Sequence, residues 1–347
     1  MGKTLAELQE VALSVGLQKF AGKQLAEWLY VRRVSSFDEM TNISLKGREA
    51  LQAHYSIGRH APVREAVSTD GTRKYLFDVC QSEGRSNSEA VQQQRGLTGE
   101  TGRFVETVYI PEEDRATLCV SSQVGCKMGC RFCMTGTLGF HGQLSAADIL
   151  NQIFYFDDLT NLVFMGEGEP MDNLDNVLRS LEIMTAPYGC AWSPKRITVS
   201  TVGIPAMKRF LDGSECHMAV SMHNPFAVER AQIMPAEKMM SITEVVKLLK
   251  QYDWSHQRRV SFEYICWPGN TTMRHAKEML RLLKGLNCRV NLIRFHEGVD
   301  RDFPASDEQQ MVFFRDYLTE HGLTTTIRRS RGEDILAACG MLVNALQ

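Results

Sequence analysis

Beyond residue 115 the chain alternates six short apolar runs, 118–120, 162–165, 197–200, 218–221, 260–265 and 290–295, with five amphipathic stretches of helical period, 146–156, 174–185, 242–252, 274–286 and 307–321. A strand followed by a helix before the next strand pairs in parallel, because a tight turn can join only antiparallel neighbours. The pattern therefore predicts an α/β fold built on a parallel sheet, with a possible seventh strand at 324–328. Six or more such units suggest a full or partial (β/α) barrel, whose chemistry gathers at the C-terminal ends of its strands.

The residues that fall at those ends are unusual ones. Cys126, Cys130 and Cys133 follow the first run in a CxxxCxxC spacing that brings three thiols within eight residues, and Gly166-Glu-Gly-Glu-Pro170 follows the second. Ser200 ends the third run, Ser221, Met222 and His223 end the fourth, and His296 ends the sixth. Four-iron clusters usually take four cysteine thiolates, so three leave one iron open to a small molecule. Zinc sites more often come as two paired halves, and no second half of that spacing exists here. Phe132, next to the last cysteine, adds an apolar wall that would shield a cluster from water.

The rest of the chain divides into two smaller parts. Residues 1–60 read as a helical module: Thr4-Leu-Ala-Glu7 has the form of a capping box, and further apolar stripes run through Leu25, Trp28 and Leu29 and then from Ser44 through Leu45 and Leu51. Lys19, Lys23, Arg32, Arg33, Lys46 and Arg48 give that module a basic face, either an ordinary solvated surface or one that touches RNA. Residues 61–114 form a β-rich connector with strands at 74–79 and 104–110, separated by a polar, Ser/Gln/Gly/Arg-rich stretch at 81–103 expected to be a mobile loop. The catalytic barrel then spans 115–347.

At 347 residues and 44% apolar content the chain can bury a large core, and a net charge of −2 argues against a generally basic nucleic-acid coat. No uninterrupted apolar stretch of membrane-spanning length and no signal-peptide core are present, so no membrane partner and a cytoplasmic location are expected. Most of the ten cysteines are scattered, as suits a reducing compartment.

Several longer runs extend this picture: Val105-Glu-Thr-Val-Tyr-Ile-Pro-Glu-Glu-Asp-Arg-Ala-Thr-Leu-Cys119, Val120-Ser-Ser-Gln-Val-Gly-Cys126, Pro194-Lys-Arg-Ile-Thr-Val-Ser-Thr201, and Arg328-Arg-Ser-Arg-Gly-Glu-Asp-Ile335 followed by Ala337-Ala-Cys-Gly340. In these the chain resembles the radical S-adenosylmethionine RNA methyltransferases, most closely the group that methylates carbon 2 of adenine in 23S rRNA and tRNA. The resemblance covers nearly the whole chain and implies a partial (β/α)6 radical-SAM barrel behind a small N-terminal helical domain. It implies that Cys126, Cys130 and Cys133 hold a [4Fe–4S] cluster, and that Gly168, Glu169, Ser200, Ser221, Met222, His223 and His296 line S-adenosylmethionine, two molecules of which are used per turnover.

By the same resemblance Cys339 carries the methyl group, Cys119 resolves the RNA adduct by forming a disulfide with it, and Glu106 accepts the carbon 2 proton. In that scheme one S-adenosylmethionine methylates Cys339 by displacement, and a second yields a 5′-deoxyadenosyl radical that takes a hydrogen from the S-methyl group. The detour has a chemical reason: carbon 2 of adenine is electron-poor, and a carbon radical can attack it where a sulfonium methyl cannot. On their own residue types, Cys119 and Cys339 read as small buried residues and Glu106 as a strand residue facing solvent. RNA contact is expected from Lys195, Arg196, Arg258, Arg259, Arg328, Arg329 and Arg331, and reduction by an external electron donor such as flavodoxin. A monomer is expected.

Three places depart from the family pattern. Glu167 stands where methionine is usual and would add a negative charge beside the cofactor loop; His296 stands where asparagine is usual; and the loop Trp267-Pro-Gly-Asn-Thr-Thr272 is short. Two other readings stay open: the related class that methylates adenine carbon 8, and a non-enzymatic RNA-binding protein with a structural metal site.

Overall fold

The structure is a computed structural model that describes residues 1–79, 103–254, 259–295, 303–305 and 307–342. The stretch 81–103, Arg103 apart, lies outside these residues, as do Arg258 and His296. Helix α1 (Leu5–Ser14) starts at the expected capping box, in which Thr4 Oγ1 accepts from the Glu7 amide at 3.4 Å and Glu7 Oε2 accepts from the Thr4 amide at 2.7 Å. Helix α2 (Ala21–Ala26) continues into a π-helical turn at Glu27–Val31, and α3 (Leu45–His54) is capped by Ser44. A Cβ at Gly22 would lie 2.7 Å from the Gln9 backbone nitrogen, so α1 and α2 meet there at a distance only glycine permits.

Ten strands form one sheet, in the order β1 (Arg64–Val67), β2 (Arg73–Asp78), β3 (Phe104–Pro111), β4 (Ala116–Cys119), β7 (Asn161–Phe164), β8 (Ile197–Thr201), β9 (His217–Ser221), β10 (Val260–Cys266), β11 (Cys288–Arg294) and β12 (Thr325–Ile327), while β5 (Gln123–Gly125) and β6 (Phe140–Gln143) pair as a separate hairpin. Pairing is antiparallel from β1 to β4 and parallel from β4 to β12. The parallel part contains all six expected strands and the seventh. Helices α4 (Ala146–Phe154), α5 (Leu174–Thr185), α8 (Ile242–Leu249), α9 (Met273–Leu283) and α10 (Glu308–Glu320) follow the amphipathic stretches, and two seven-residue helices, α6 (Met207–Gly213) and α7 (Ala227–Ile233), together with a single helical turn at Met134–Thr137, were not anticipated. Seven residues give too few helical repeats to show a periodic stripe.

Leu118, Leu162, Ile197, Val199, Phe262, Val290 and Leu292 are fully buried along the sheet, so the parallel strands are held by apolar contact with the helices that link them. The helical module docks on the end of α4: Arg33 donates to the Phe156 carbonyl at 2.8 Å with its guanidinium over the Phe154 ring, Arg59 donates to the Phe154 carbonyl at 2.9 Å, and Tyr30 packs on Phe154. Arg33 is thus a docking residue; Lys19, Lys23, Arg32 and Lys46 remain exposed.

Because Phe154 is fully buried where module and barrel meet, Phe154→Ala should destabilise the protein by about 3–5 kcal/mol in urea unfolding. A loss below about 1 kcal/mol would mean that this contact is not part of the folded core.

Candidate functional site

The C-terminal ends of the parallel strands surround a cleft of about 840 Å³ lined by Cys126, Cys130, Cys133, Gly166, Gly168, Glu169, Ser200, Ser221, His223, Glu263, Ile293 and Cys339, among others. A second cleft of about 1360 Å³ adjoins it and is lined by Val108, Cys119, Arg115, Arg294, Arg328, Arg329, Arg331 and Cys339. Cys133, Met165, Gly166, Ile293, Cys339 and Gly340 belong to both walls. Cys339 is solvent-accessible, and it stands on the divide between a cysteine-rich cleft and an arginine-rich one.

The three clustered cysteines sit in a loop between β5 and β6, outside the main sheet. Burial pushes the Cys126 thiol up to about 12 and raises Cys130 and Cys133 as well. Nothing nearby offsets that cost fully, so these thiols are poor nucleophiles but become good ligands once a metal displaces the proton. Among the described residues no three His, Cys, Asp or Glu side chains form a group able to hold one metal ion. The thiols instead border a cleft, as a donor set giving one thiolate to each of three irons requires.

The glycines after β7 are there because the backbone leaves no room for a side chain. Gly168 has φ +93, and a Cβ on it would lie 2.5 Å from the Gln123 side chain. Glu169 is buried; Oε1 accepts from the Met171 amide at 3.0 Å and Oε2 from the Val202 amide at 2.8 Å, which ties the end of β7 to the end of β8. Burial lifts its carboxyl to about 7 despite those bonds. Glu167 does not line either cleft, although its carboxylate lies near enough to Cys133 to help raise that thiol. It is buried, accepts from the Glu106 amide at 2.8 Å and the Gly125 amide at 3.3 Å, and so joins β3 to β5.

A buried arginine that the sequence reading missed supports the far wall. Arg230, fully buried, donates to the carbonyls of Val202 at 2.6 Å, Ser221 at 2.8 Å and Met222 at 2.9 Å, and pairs with Glu237. One guanidinium thereby fixes the loops after β8 and β9. Met222 is buried and does not line the cleft, its carbonyl and amide being engaged by Arg230 and Glu263. His223 does line it. Its φ is +55, Nδ1 accepts from the Ile265 amide at 3.0 Å, and burial together with Arg230 lowers its pKa to about 3. The ring is therefore neutral with its proton on Nε2.

In the second cleft, Cys119 ends β4, and burial raises its thiol to about 12; the nearby Cys339 thiolate adds to the shift and Arg328 opposes it. Although Cys339 is exposed at the mouth, the protein packed around it also raises its thiol, again opposed by Arg328. Arg328 bonds Glu263 at 3.3 Å between the two clefts. Glu106 lies on the same face of β3 as Val108 and Ile110 but does not itself line the cleft; it is buried and paired with Lys74 at 2.8 Å. Lys195, Arg196 and Arg259 precede β8 and β10, at the opposite end of the sheet from both clefts. A strand carries its two ends to opposite rims, so these three residues line neither cleft. Arg115 and Arg294, overlooked in the sequence, line the second cleft instead.

Comparison with known proteins points the same way. Residues 1–57 match the model for the ribosomal RNA large subunit methyltransferase N-terminal domain, and residues 120–291 match that of the radical SAM superfamily. A probable dual-specificity RNA methyltransferase RlmN of Bacteroides fragilis is 55% identical over 100% of this chain and 96% of its own. The dual-specificity RNA methyltransferase RlmN of Syntrophus aciditrophicus is 37% identical over 98% and 94%. A crystal structure of a radical SAM methyltransferase from Sphaerobacter thermophilus superposes with a TM-score of 0.85 at 33% identity, covering 98% of both chains.

Arg230→Ala should leave the Glu237 carboxylate buried without its partner and cost about 3–5 kcal/mol in chemical unfolding. Arg230→Lys, which keeps charge but lacks the planar fork, should recover less than half of that. Full recovery by lysine would show that charge alone is what matters there.

Proposed function

The chain belongs to the RlmN family of dual-specificity RNA methyltransferases within the radical SAM superfamily, and from that premise we propose that it methylates carbon 2 of a specific adenine in 23S rRNA and in tRNA through a methylated Cys339. It is a radical S-adenosylmethionine RNA methyltransferase that works with a [4Fe–4S] cluster and S-adenosylmethionine. The observation that carries the finer reading is the position of Cys339, shared by the wall of the cysteine-rich cleft and that of the arginine-rich one.

The residues present fit both groups. Among the described residues Cys126, Cys130 and Cys133 bring thiols to the first cleft together with Cys339, which is held beside the Cys133 segment by the Met134–Gly340 hydrogen bond. Cys126, Cys130 and Cys133 would hold the cluster; Gly168, Glu169, Ser200, Ser221 and His223 would surround S-adenosylmethionine, with Met222 contributing through its backbone and His296 assigned by family pattern alone. When bound, these groups supply a methyl group and one-electron chemistry for removing a hydrogen atom.

The chain's own part is nucleophile, base and electrostatics. Cys339 acts as a thiolate when it accepts the methyl group, and the Arg328 guanidinium favours that charge. Arg115, Arg294, Arg328, Arg329 and Arg331 give the second cleft the planar donors that bind phosphate oxygens, which supports an adenosine entering there with its backbone at the rim. A base inside folded RNA has to leave its stack to reach Cys339. Glu106 takes the carbon 2 proton, on the strength of its strand face and family match. Cys119, as a thiolate, then attacks the Cys339 sulfur: the new S–S bond forms as the sulfur–methylene bond breaks, its electron pair passes to the methylene carbon and that carbon takes up a proton to become the methyl group on the base, and the disulfide is reduced before the next turnover.

Both clefts are built by one chain, which supports a monomer, with flavodoxin or a similar carrier as the external reductant in the cytoplasm. No helix among the described residues is long and apolar enough to cross a membrane.

Cys339→Ala should abolish RNA methylation while leaving cluster assembly unchanged, seen as retained iron and absorbance; methylated RNA from this variant would remove the carrier role. Cys119→Ala should accumulate a covalent protein–RNA adduct on gels. Because burial holds the Cys119 thiol at about 12, decay of that adduct in the unmutated protein should quicken about tenfold per pH unit from 7 to 9. A flat profile would show that loss of the Cys119 proton does not limit resolution. Mapping the methyl group on digested RNA tests the position, and carbon 8 would overturn the carbon 2 choice.

A further inference from the structure

A carrier thiol has to be held between its two partners, and residues far away in sequence do so here. The turn between β1 and β2, residues 68–72, folds back on itself: the Ser68 amide donates to the Thr72 carbonyl at 2.8 Å and the Thr72 amide to Asp70 Oδ1 at 2.9 Å. Its outer side then grips the segment just ahead of Cys339. Ser68 Oγ donates to Asp334 Oδ1 at 2.5 Å, the Thr69 amide donates to Asp334 Oδ2 at 3.0 Å, and the Gly332 amide donates to Asp70 Oδ2 at 3.1 Å. Lys74, at the start of β2, donates to the Leu336 carbonyl at 3.3 Å while pairing with Glu106.

Two features show that the fit is close. Gly332 has φ +63, and a Cβ on it would lie 3.0 Å from Thr72 Cγ2 and 2.7 Å from Ala337 Cβ. Leu336 is held at φ +53, a conformation that costs a side-chain-bearing residue on the order of 1 kcal/mol or more and persists only where its surroundings enforce it. Downstream of Cys339 the chain is fastened as well, with the Met134 amide donating to the Gly340 carbonyl at 2.8 Å and Thr135 Oγ1 to the Leu342 carbonyl at 2.9 Å. That second anchor begins one residue after Cys133.

We propose that the β1–β2 turn is a latch that sets the position of Cys339 between the two clefts, with Asp70 and Asp334 as its positioning residues. The inference rests on the carrier reading of Cys339. It assigns a purpose to the connector strands: one hairpin aligns the proton acceptor, through Lys74 and Glu106, and the methyl carrier, through Asp70 and Asp334. Charge-assisted bonds of this kind are stronger than neutral ones and fix direction as well as distance. Burial raises the Asp70 carboxyl, but the amides of Thr72 and Gly332 outweigh it and bring the group to about 2, so the latch stays charged at neutral pH.

The test is pulsed alkylation with iodoacetamide of full-length, cluster-loaded protein, followed by peptide mass mapping of Cys339, with the buried Cys216 as a monitor of unfolding. Asp70→Asn and Asp334→Asn should each label Cys339 at least about fivefold faster, the change expected from losing one such bond, with Cys216 still protected. Methyl transfer from labelled S-adenosylmethionine to Cys339 should fall in kcat with KM unchanged. Ser68→Ala/Asp334→Asn should label no faster than Asp334→Asn alone, since the two share one contact. Labelling within twofold of the unmutated rate in both aspartate variants, or faster labelling with unchanged methyl transfer, would overturn the latch. If Cys216 also becomes reactive, the milder Ser68→Ala decides by the same criteria. Labelling reads the loop without reference to RNA, so failure of the carrier reading would show separately, as RNA methylation that survives Cys339→Ala.

Discussion

Parallel pairing from β4 to β12 is the constraint on which the site depends. Each parallel neighbour is reached by a crossover, so every strand end carrying a functional loop returns to the same rim. Cys126 to Cys133, Gly166 to Glu169, Ser200, Ser221 and His223 converge for that reason, though they span almost a hundred residues. The antiparallel edge, β1 to β3, adds something different. It extends the sheet past the first parallel strand and forms the wall on which the chain's last described segment lies, which is how Cys119 and Cys339 come to share a cleft.

Burial is the second theme. The three clustered cysteines, Glu169, His223 and Arg230 all lie where the charged form is disfavoured, and they are balanced differently: Glu169 by backbone amides and His223 by remaining neutral, while the thiols would be balanced by the cluster proposed for them. Arg230 spends its donors on three carbonyls and one carboxylate, so its charge is used to shape the rim. A polar network of this kind is stable only when all its members are bonded.

What the sequence revealed follows from what is periodic or local. The parallel strands, the longer helices, the capping box at Thr4 and the cysteine spacing are local patterns, and the structure contains each of them. The seven-residue helices α6 and α7 carry too few turns for a stripe. The partners of Glu167 were also hidden: its carboxylate accepts amides from β3 and β5, contacts that no local pattern announces. Lys195, Arg196 and Arg259 looked like RNA contacts because of their motifs and charge, yet they begin strands whose other ends form the clefts. The contacts of Arg230, and those joining Ser68 and Asp70 to the segment before Cys339, are tertiary; no pattern within one element could announce a partner some 260 residues away, such as Asp334 to Ser68.

The central claim is that carbon passes through Cys339 on its way to RNA. Its most direct measurement is a pulse of isotopically methyl-labelled S-adenosylmethionine given anaerobically to the loaded protein before RNA is added, with peptide mass analysis over time. The account predicts label on Cys339 first, and its later appearance on the adenine as that on the protein declines. Label reaching RNA while Cys339 remains unmodified would contradict it.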